Sequence, residues 1–284
     1  MDLSYFHDGL RNMCPLASKV REDASDSCAD GGITSGKCDA PFHEIFQRVC
    51  SEMEPRGFEA HSFLVGWYND IVDEPFRLNY PPNTPAILLL SAPSMFEKTF
   101  IPFLLKQDLE NLQDPVDRCM VELFTVLRHD WGGAENVNVV HDFELHPNRR
   151  PKLLVQTAAH VSGAAFLYQR KNIPPSDHSP KRKMMGLCLH PKYGGWFAIR
   201  GCLIFKNLNC DDLPRKEAHN VLVEPADQLN AVELFNYHWR DCRFRDAIDV
   251  QAKYSELQQR YFNTPSGQRG PILREIIEKY SNII

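Results

Sequence analysis

The chain lacks most of the short motifs that declare a chemistry outright. Its nine cysteines stand at 14, 28, 38, 50, 119, 188, 202, 210 and 242, and no two form a C-x-x-C pair. A zinc knuckle or thioredoxin-type redox pair is therefore not indicated. G-x-G-x-x-G and G-x-x-x-x-G-K-[ST] are missing, which removes local support for a nucleotide fold. So are the nucleophile elbow G-x-S-x-G and the zincin motif H-E-x-x-H. The longest clean apolar run, near Ala86–Leu90, is far too short to cross a bilayer, so no membrane role is expected. Acids interrupt Met1-Asp-Leu-Ser-Tyr-Phe-His-Asp8, so no secretory signal is expected there. No basic tract interleaves with aromatics, and the net charge is −5, which makes nucleic acid a poor partner. An odd number of cysteines without a secretion signal suits reduced thiols in a cytoplasmic protein.

What is present is a globular composition, 43% hydrophobic. Residues 1–40 stand apart, because Ala24–Gly36 is small, polar and has little to bury; they read as a flexible extension. Residues 41–284 read as one domain. Phe42, Ile45, Phe46 and Val49 recur at helical spacing behind Pro41, and Pro55-Arg-Gly57 stops that helix. Pro85–Ser91 reads as a buried strand. Ser94–Lys106 and Asp114–His129 read as helices, the second with Asp114 as N-cap and Pro115 at N1. Val137–Leu145 alternates as a strand. Arg150-Pro151 opens a long helix to Arg170, followed by a loop over residues 171–183. Met184–Leu189 and Trp196–Phe205 read as paired strands joined by the turn His190–Gly195. After a polar loop, Asp227 caps a helix to Cys242, and two more helices cover 249–262 and 267–283. Strands and helices do not alternate regularly, so the expected class is α+β.

Three sets of residues can carry chemistry. In a helix after Pro151, Gln156, His160, Gly163, Ala164 and Leu167 would share one face, flat where the glycine and alanine lie. A planar ligand or another backbone could approach there. Close packing, with His160 a satisfied core histidine, is the commoner use of such a face. Cys188 and Ile199 lie in the two expected strands and can face a common space, although a lone buried cysteine is usually a small hydrophobe. Arg200, Arg245 and Arg269 stand among apolar or aromatic neighbours, so each needs an anion. Asp241 and Asp246 are the default structural partners, and a bound anion is the alternative.

The ordered run His146-Pro-Asn-Arg-Arg-Pro-Lys152, Gln156-Thr-Ala-Ala-His-Val161, Gly195-Trp-Phe-Ala-Ile-Arg-Gly201 and His238-Trp-Arg-Asp241 is long and specific. With Asp114-Pro-Val-Asp117 and Tyr254-Ser-Glu256, it resembles the cblC family of vitamin B12 processing proteins, over roughly residues 41–270. That resemblance implies a flavin nitroreductase-like α+β fold with a central, mainly antiparallel sheet flanked by helices. It implies an enzyme and chaperone that binds cobalamin base-off and removes its upper axial ligand. Cyanocobalamin would be decyanated reductively, with FMN or FAD and NADPH as the electron source. Alkylcobalamins would be dealkylated by transfer to glutathione. The implied cobalamin contacts are Asp142, Leu153, Leu154, Val155, Gln156, Leu167, Tyr168, Gln169, Cys188 and Ile199. The implied glutathione and catalytic residues are Arg200, Arg245 and Arg269, with His160, Gly186 and Tyr254 as further pocket residues.

The implied partners are the type D cobalamin trafficking protein and a second copy in a ligand-dependent homodimer. No protein ligand to cobalt is implied, and D-x-H-x-x-G, the loop by which many B12 enzymes supply a histidine, is absent. The chain departs from the family where Phe166-Leu-Tyr-Gln169 replaces a tyrosine-rich segment and where Cys242 replaces tryptophan. Two other classes fit the residues: a flavin-dependent reductase of small molecules on the same fold, and a cobalamin carrier without chemistry.

Overall fold

The computed structural model describes residues 41–174 and 184–281. The expected extension over 1–40 and the loop from 175 to 183 lie outside these residues. Helix α1 (Phe42–Met53) buries Phe42, Ile45, Val49 and Met53, with Pro41 as its N-cap. Gly57, at φ +84°, ends the turn that follows and feeds β1 (Phe58–Leu64) and the short α2 (Val65–Asn69). Strand β2 covers Pro85–Ser91, every residue buried. The helix expected over Ser94–Lys106 is instead a π-turn (Phe96–Phe100) running into α3 (Ile101–Leu104). Helix α4 (Pro115–Asp130) carries Pro115 in its first turn as expected. Asp114 precedes it at φ +43° and makes no side-chain cap bond. A single turn, α5 (Gly133–Asn136), leads to β3, which stops at His141 after starting at Val137.

The largest correction concerns the long helix expected from Arg150 to Arg170. Helix α6 covers only Val155–Val161. Gly163 adopts φ +74°. Its N–H bonds to His160 O at 3.1 Å, and Ala164 N–H reaches back to Ala159 O at 2.9 Å. This pair of bonds is a Schellman motif, the ordinary use of glycine after a helix end. The chain then leaves as strand β4 (Phe166–Tyr168). Gly163 and Leu167 therefore do not continue a helical face, and a Cβ on Gly163 would meet the Lys216 backbone, 2.7 Å from its carbonyl oxygen. The flat surface serves close packing of protein on protein.

The expected pairing of Met184–Leu189 with Trp196–Phe205 is also overturned. Strand β5 (Leu187–Leu189) pairs antiparallel with β4, forming a two-stranded sheet. Strand β6 (Ala198–Phe205) pairs antiparallel with β2 on one side and β3 on the other, giving the four-stranded order β1-β2-β6-β3. With both of its edges occupied, β6 has no ladder left for β5. Helix α7 (Pro225–Tyr237) starts after Glu224 rather than at Asp227 and ends before Cys242. Helix α8 (Glu256–Asn263) is capped by Ser255 Oγ, and α9 covers Gly270–Tyr280. The class is α+β, an antiparallel sheet flanked by helices.

Alternation along the strands divides the interior in two. Ile87, Leu89, Leu203 and Phe205 join one core with residues of α1, α4 and α9. Leu88, Leu90, Cys202 and Ile204 face the opposite side, toward α2 and α6.

Candidate functional site

A cavity of about 390 Å³ opens on that second side. A β-bulge shapes its floor. On β2, Leu89 pairs with Gly201 and Leu90 with Ile199, so Arg200 has no partner across the ladder. Bulges re-aim side chains beside functional sites, and here Ala198, Ile199 and Arg200 in succession all line the cavity. Gly201 takes φ +135°, and a Cβ there would strike Val140 O, so the bulge depends on glycine.

One wall comes from the start of α6. The Tyr68 hydroxyl accepts a bond from Leu154 N–H at 2.9 Å, which pins the entry to this helix. Leu153, Leu154, Val155 and Gln156 then line the cavity. Gln156 Nε2 donates to Gly186 O at 2.8 Å, and Cys188 Sγ lies 3.6 Å from Gln156 O. Cys188 also lines the space, beside Leu167 and Gln169. Burial pushes its thiol pKa well up, so it is a neutral wall residue and not a thiolate.

The arginines occupy a joined stretch of the opposite wall. Arg200, buried, donates from Nε to Ser91 Oγ at 2.9 Å. Arg245 donates to Gly195 O, and its guanidinium lies 5.0–5.4 Å from the rings of Phe244, Tyr254 and Trp196. Tyr254 packs on Phe262, and Arg269 lies over Phe262 and Tyr261 while donating to Thr264 O at 2.8 Å. All three arginines line the cavity. The expected structural partners are engaged elsewhere: Asp241 holds Arg243 at 2.8 Å, while Asp246 holds Lys253 and the Trp196 indole.

The acid beside these arginines is Asp117, which sequence reasoning missed. An Asp in the first turn of a helix reads as an exposed complement to the helix dipole, yet Asp117 is buried near Asp142, Arg200 and Arg269. Burial and the Asp142 charge push its carboxyl up to about 8, against the pull of Arg200 and Arg269. The aromatic wall residues Phe197, Phe235, Phe244 and Phe262 were missed as well. Their only sequence signal was hydrophobicity, which core residues share.

Three expected site residues stand off the cavity. Tyr168 is buried in a separate apolar cluster; its hydroxyl donates to Asn220 Oδ1 at 2.7 Å and accepts from Leu222 N–H at 2.9 Å. His160 packs edge-on against Phe166, and burial lowers its pKa. Gly186 sits behind the wall, where a Cβ would meet Leu167 Cδ1 at 2.8 Å. Asp142, Gln169, Ile199, Tyr254 and the remaining expected residues do come together at the cavity. Chemically, the space offers an apolar and aromatic surface for a flat ligand and guanidinium forks for carboxylates.

Residues 57–273 match the Methylmalonic aciduria and homocystinuria type C family. A Gallus gallus protein named cyanocobalamin reductase / alkylcobalamin dealkylase is 43% identical over 81% of this chain and 95% of its own length. A Homo sapiens protein of the same name is 42% identical, with 81% of each chain covered. A solved Caenorhabditis elegans structure, described as the B12-trafficking protein CblC, superposes with a TM-score of 0.76 at 34% identity. It covers 84% of this chain and 97% of that one.

Proposed function

The chain belongs to the Methylmalonic aciduria and homocystinuria type C family, and on that premise we propose that it is a cyanocobalamin reductase and alkylcobalamin dealkylase. Its substrate is cobalamin bound base-off, with the dimethylbenzimidazole off cobalt and no protein ligand in its stead. Residues 41–284 act as one processing unit of nitroreductase-like type. The observation that carries this reading is the convergence of Arg200, Arg245 and Arg269 on a cavity whose other wall is Leu153–Gln156, Leu167, Cys188 and Ile199. At about 390 Å³ the cavity lies at the small end of the range for drug-sized ligands. A corrinoid is larger, so it sits across the mouth with its upper face turned inward.

In dealkylation the arginines grip the two carboxylates of glutathione and aim its sulfur at the cobalt-bound carbon. The thiolate forms the new S–C bond, the Co–C bond breaks, and its electron pair stays on cobalt. The products are an S-alkyl glutathione and cob(I)alamin. Losing the lower donor weakens the bond to the upper ligand, so binding the base-off form is itself catalytic. In decyanation, FMN or FAD recharged by NADPH would supply the electrons. The aromatic wall of Phe197, Phe244 and Tyr254 beside three guanidiniums fits a planar group with an anionic tail. The setting is cytoplasmic, and the partners we propose are the type D cobalamin trafficking protein and, with ligand bound, a second copy of this chain.

The test is to mix the protein with methylcobalamin, with and without glutathione. The expected results are a blue-shifted base-off spectrum on binding and S-methyl glutathione only when the thiol is present. A base-on spectrum at saturating protein defeats the binding claim. Binding without product would leave a carrier.

A further inference from the structure

A second group of ligating side chains lies apart from the cavity and from the proposed reaction. Glu59 and His61 stand two residues apart on β1 and so share one face of the strand. His190 meets them from the turn after β5, held there by paired backbone bonds with Gly194. Glu59 Oε2 lies 3.1 Å from His190 Nε2 and 3.4 Å from His61 Nε2. The three donor atoms all fall within 4.8 Å of one another.

Those spacings have a chemical meaning. Ligands bound tetrahedrally to zinc at about 2.1 Å lie roughly 3.4 Å from one another. Two edges of the triangle already have nearly that length. Glu59 Oε2 is hydrogen-bonded to His190 Nε2 and faces His61 Nε2 on its other side. The group therefore offers an anionic oxygen between two imidazoles. His61 Nε2 is sealed from solvent and makes no hydrogen bond, an uncommon state for a buried ring nitrogen. Strand β1 ends the four-stranded order, and Glu59 and His61 retain partial exposure, so a cation has a way in.

We propose that Glu59, His61 and His190 form a zinc site, with water completing the shell. Two imidazoles and one carboxylate are an established ligand set for this ion. Two local features oppose it. Lys192 N–H donates to His190 Nδ1 at 3.1 Å, so ligation through Nε2 moves the ring proton to Nδ1 and gives up that bond. Lys192 Nζ, 3.8 Å from Glu59 Oε1, must swing away, and its side chain is exposed enough to do so. The ion would staple β1 to the turn whose Tyr193 and Phe197 pack on His190, and Phe197 lines the cavity.

The experiment uses the full chain after chelator treatment, titrated with zinc chloride by calorimetry and with cobalt(II) by visible absorption. One equivalent is expected, with tetrahedral cobalt bands and a melting temperature raised by zinc. Glu59→Gln and His61→Ala should each weaken binding at least about tenfold, or 1.4 kcal/mol, and abolish the zinc-induced rise in melting temperature. Both positions are partly exposed, and circular dichroism without metal checks that the variants fold; if one does not, the other decides. The proposal is overturned if the parent chain binds no zinc at roughly 100 µM, or if both variants bind like the parent. It is also overturned if the cobalt spectrum carries a thiolate charge-transfer band, which would assign the ion to cysteine.

Discussion

On one face of the four-stranded sheet, Ile87, Leu89, Leu203 and Phe205 meet Phe42, Phe100, Phe124 and Ile276, and none of these side chains is more than 5% exposed. On the other face, Leu88, Leu90, Cys202 and Ile204 are as well buried, and the cavity opens beside them, lined by Leu153, Leu167, Cys188 and Phe197 of the same core. The difference lies in the covering helices. Helix α4 has 16 residues, about 24 Å at 1.5 Å per residue. That matches the roughly 23 Å of a seven-residue strand such as β2. Helix α6 has seven residues and spans only about 10 Å. The residues at its start, Leu153–Gln156, line the cavity, and the arginine and aromatic segments from 244 to 269 border the remaining space. One sheet thus carries a stability face and a binding face, and the segments that cover each face make the distinction.

The strongest way to test this division is to truncate one large side chain on each face. Phe124→Ala should cost about 3–5 kcal/mol, read as a large fall in melting temperature. Ile199→Ala borders space that already exists, so it should cost roughly 1 kcal/mol of stability while weakening cobalamin binding. Equal melting losses with unchanged binding would erase the comparison.

Next in size is Arg200→Ala, which removes a charge-assisted contact of about 2 kcal/mol. Glutathione-dependent dealkylation at subsaturating thiol should drop at least about tenfold, and Arg245→Ala and Arg269→Ala should follow. If the arginines are only structural, melting temperature and cobalamin binding will fall together. Three stable variants with normal kinetics would remove glutathione from this wall.

The binding face also carries a pH signature. Asp117, raised to about 8 in the folded protein, would have an ordinary value near 4 when unfolded. Between those values the folded state holds a proton that the unfolded state has released. Stability therefore falls as pH rises through this window, by up to about 1.4 kcal/mol per pH unit from this group. Asp117→Asn should flatten that slope in denaturant titrations, and an unchanged slope would deny the buried acid its role.

The smallest expected effect belongs to Asp246. Its Oδ1 accepts the Trp196 indole N–H at 2.6 Å, and Trp196 forms part of the ring cage around Arg245. Asp246→Ala should raise the KM for glutathione roughly three- to tenfold, the value of one hydrogen bond, with kcat nearly unchanged, and Asp246→Asn should recover most of the loss. A kcat effect without a KM effect would move Asp246 out of the positioning role.

Much of the local structure was legible. Pro85–Ser91 is continuously apolar and is strand β2 to the residue. Pro115 and the stripe behind Pro41 marked helices where they occur. The errors have physical causes. Ser162-Gly163 is equally a small-residue helix face and a Schellman stop, and only the backbone bonds distinguish them. Strand β1 was not read at all: Glu59 and His61 break its apolar run, and His190, which meets Glu59, lies about 130 positions away in sequence.

The sequence by itself determined the class, through propensity and patterning that are local properties, and through motif order the family, whose resemblance in turn implied most of the expected residues that meet at the cavity. Tertiary structure alone decided which strands pair, that Arg200 bulges out of the ladder, and that Asp117 is buried beside two arginines. It also decided that Tyr168 turns away to Asn220 while its neighbours on either side line the site. Pairing, burial and side-chain direction depend on what arrives from elsewhere in the chain. A one-residue bulge or an early helix stop is enough to reverse them.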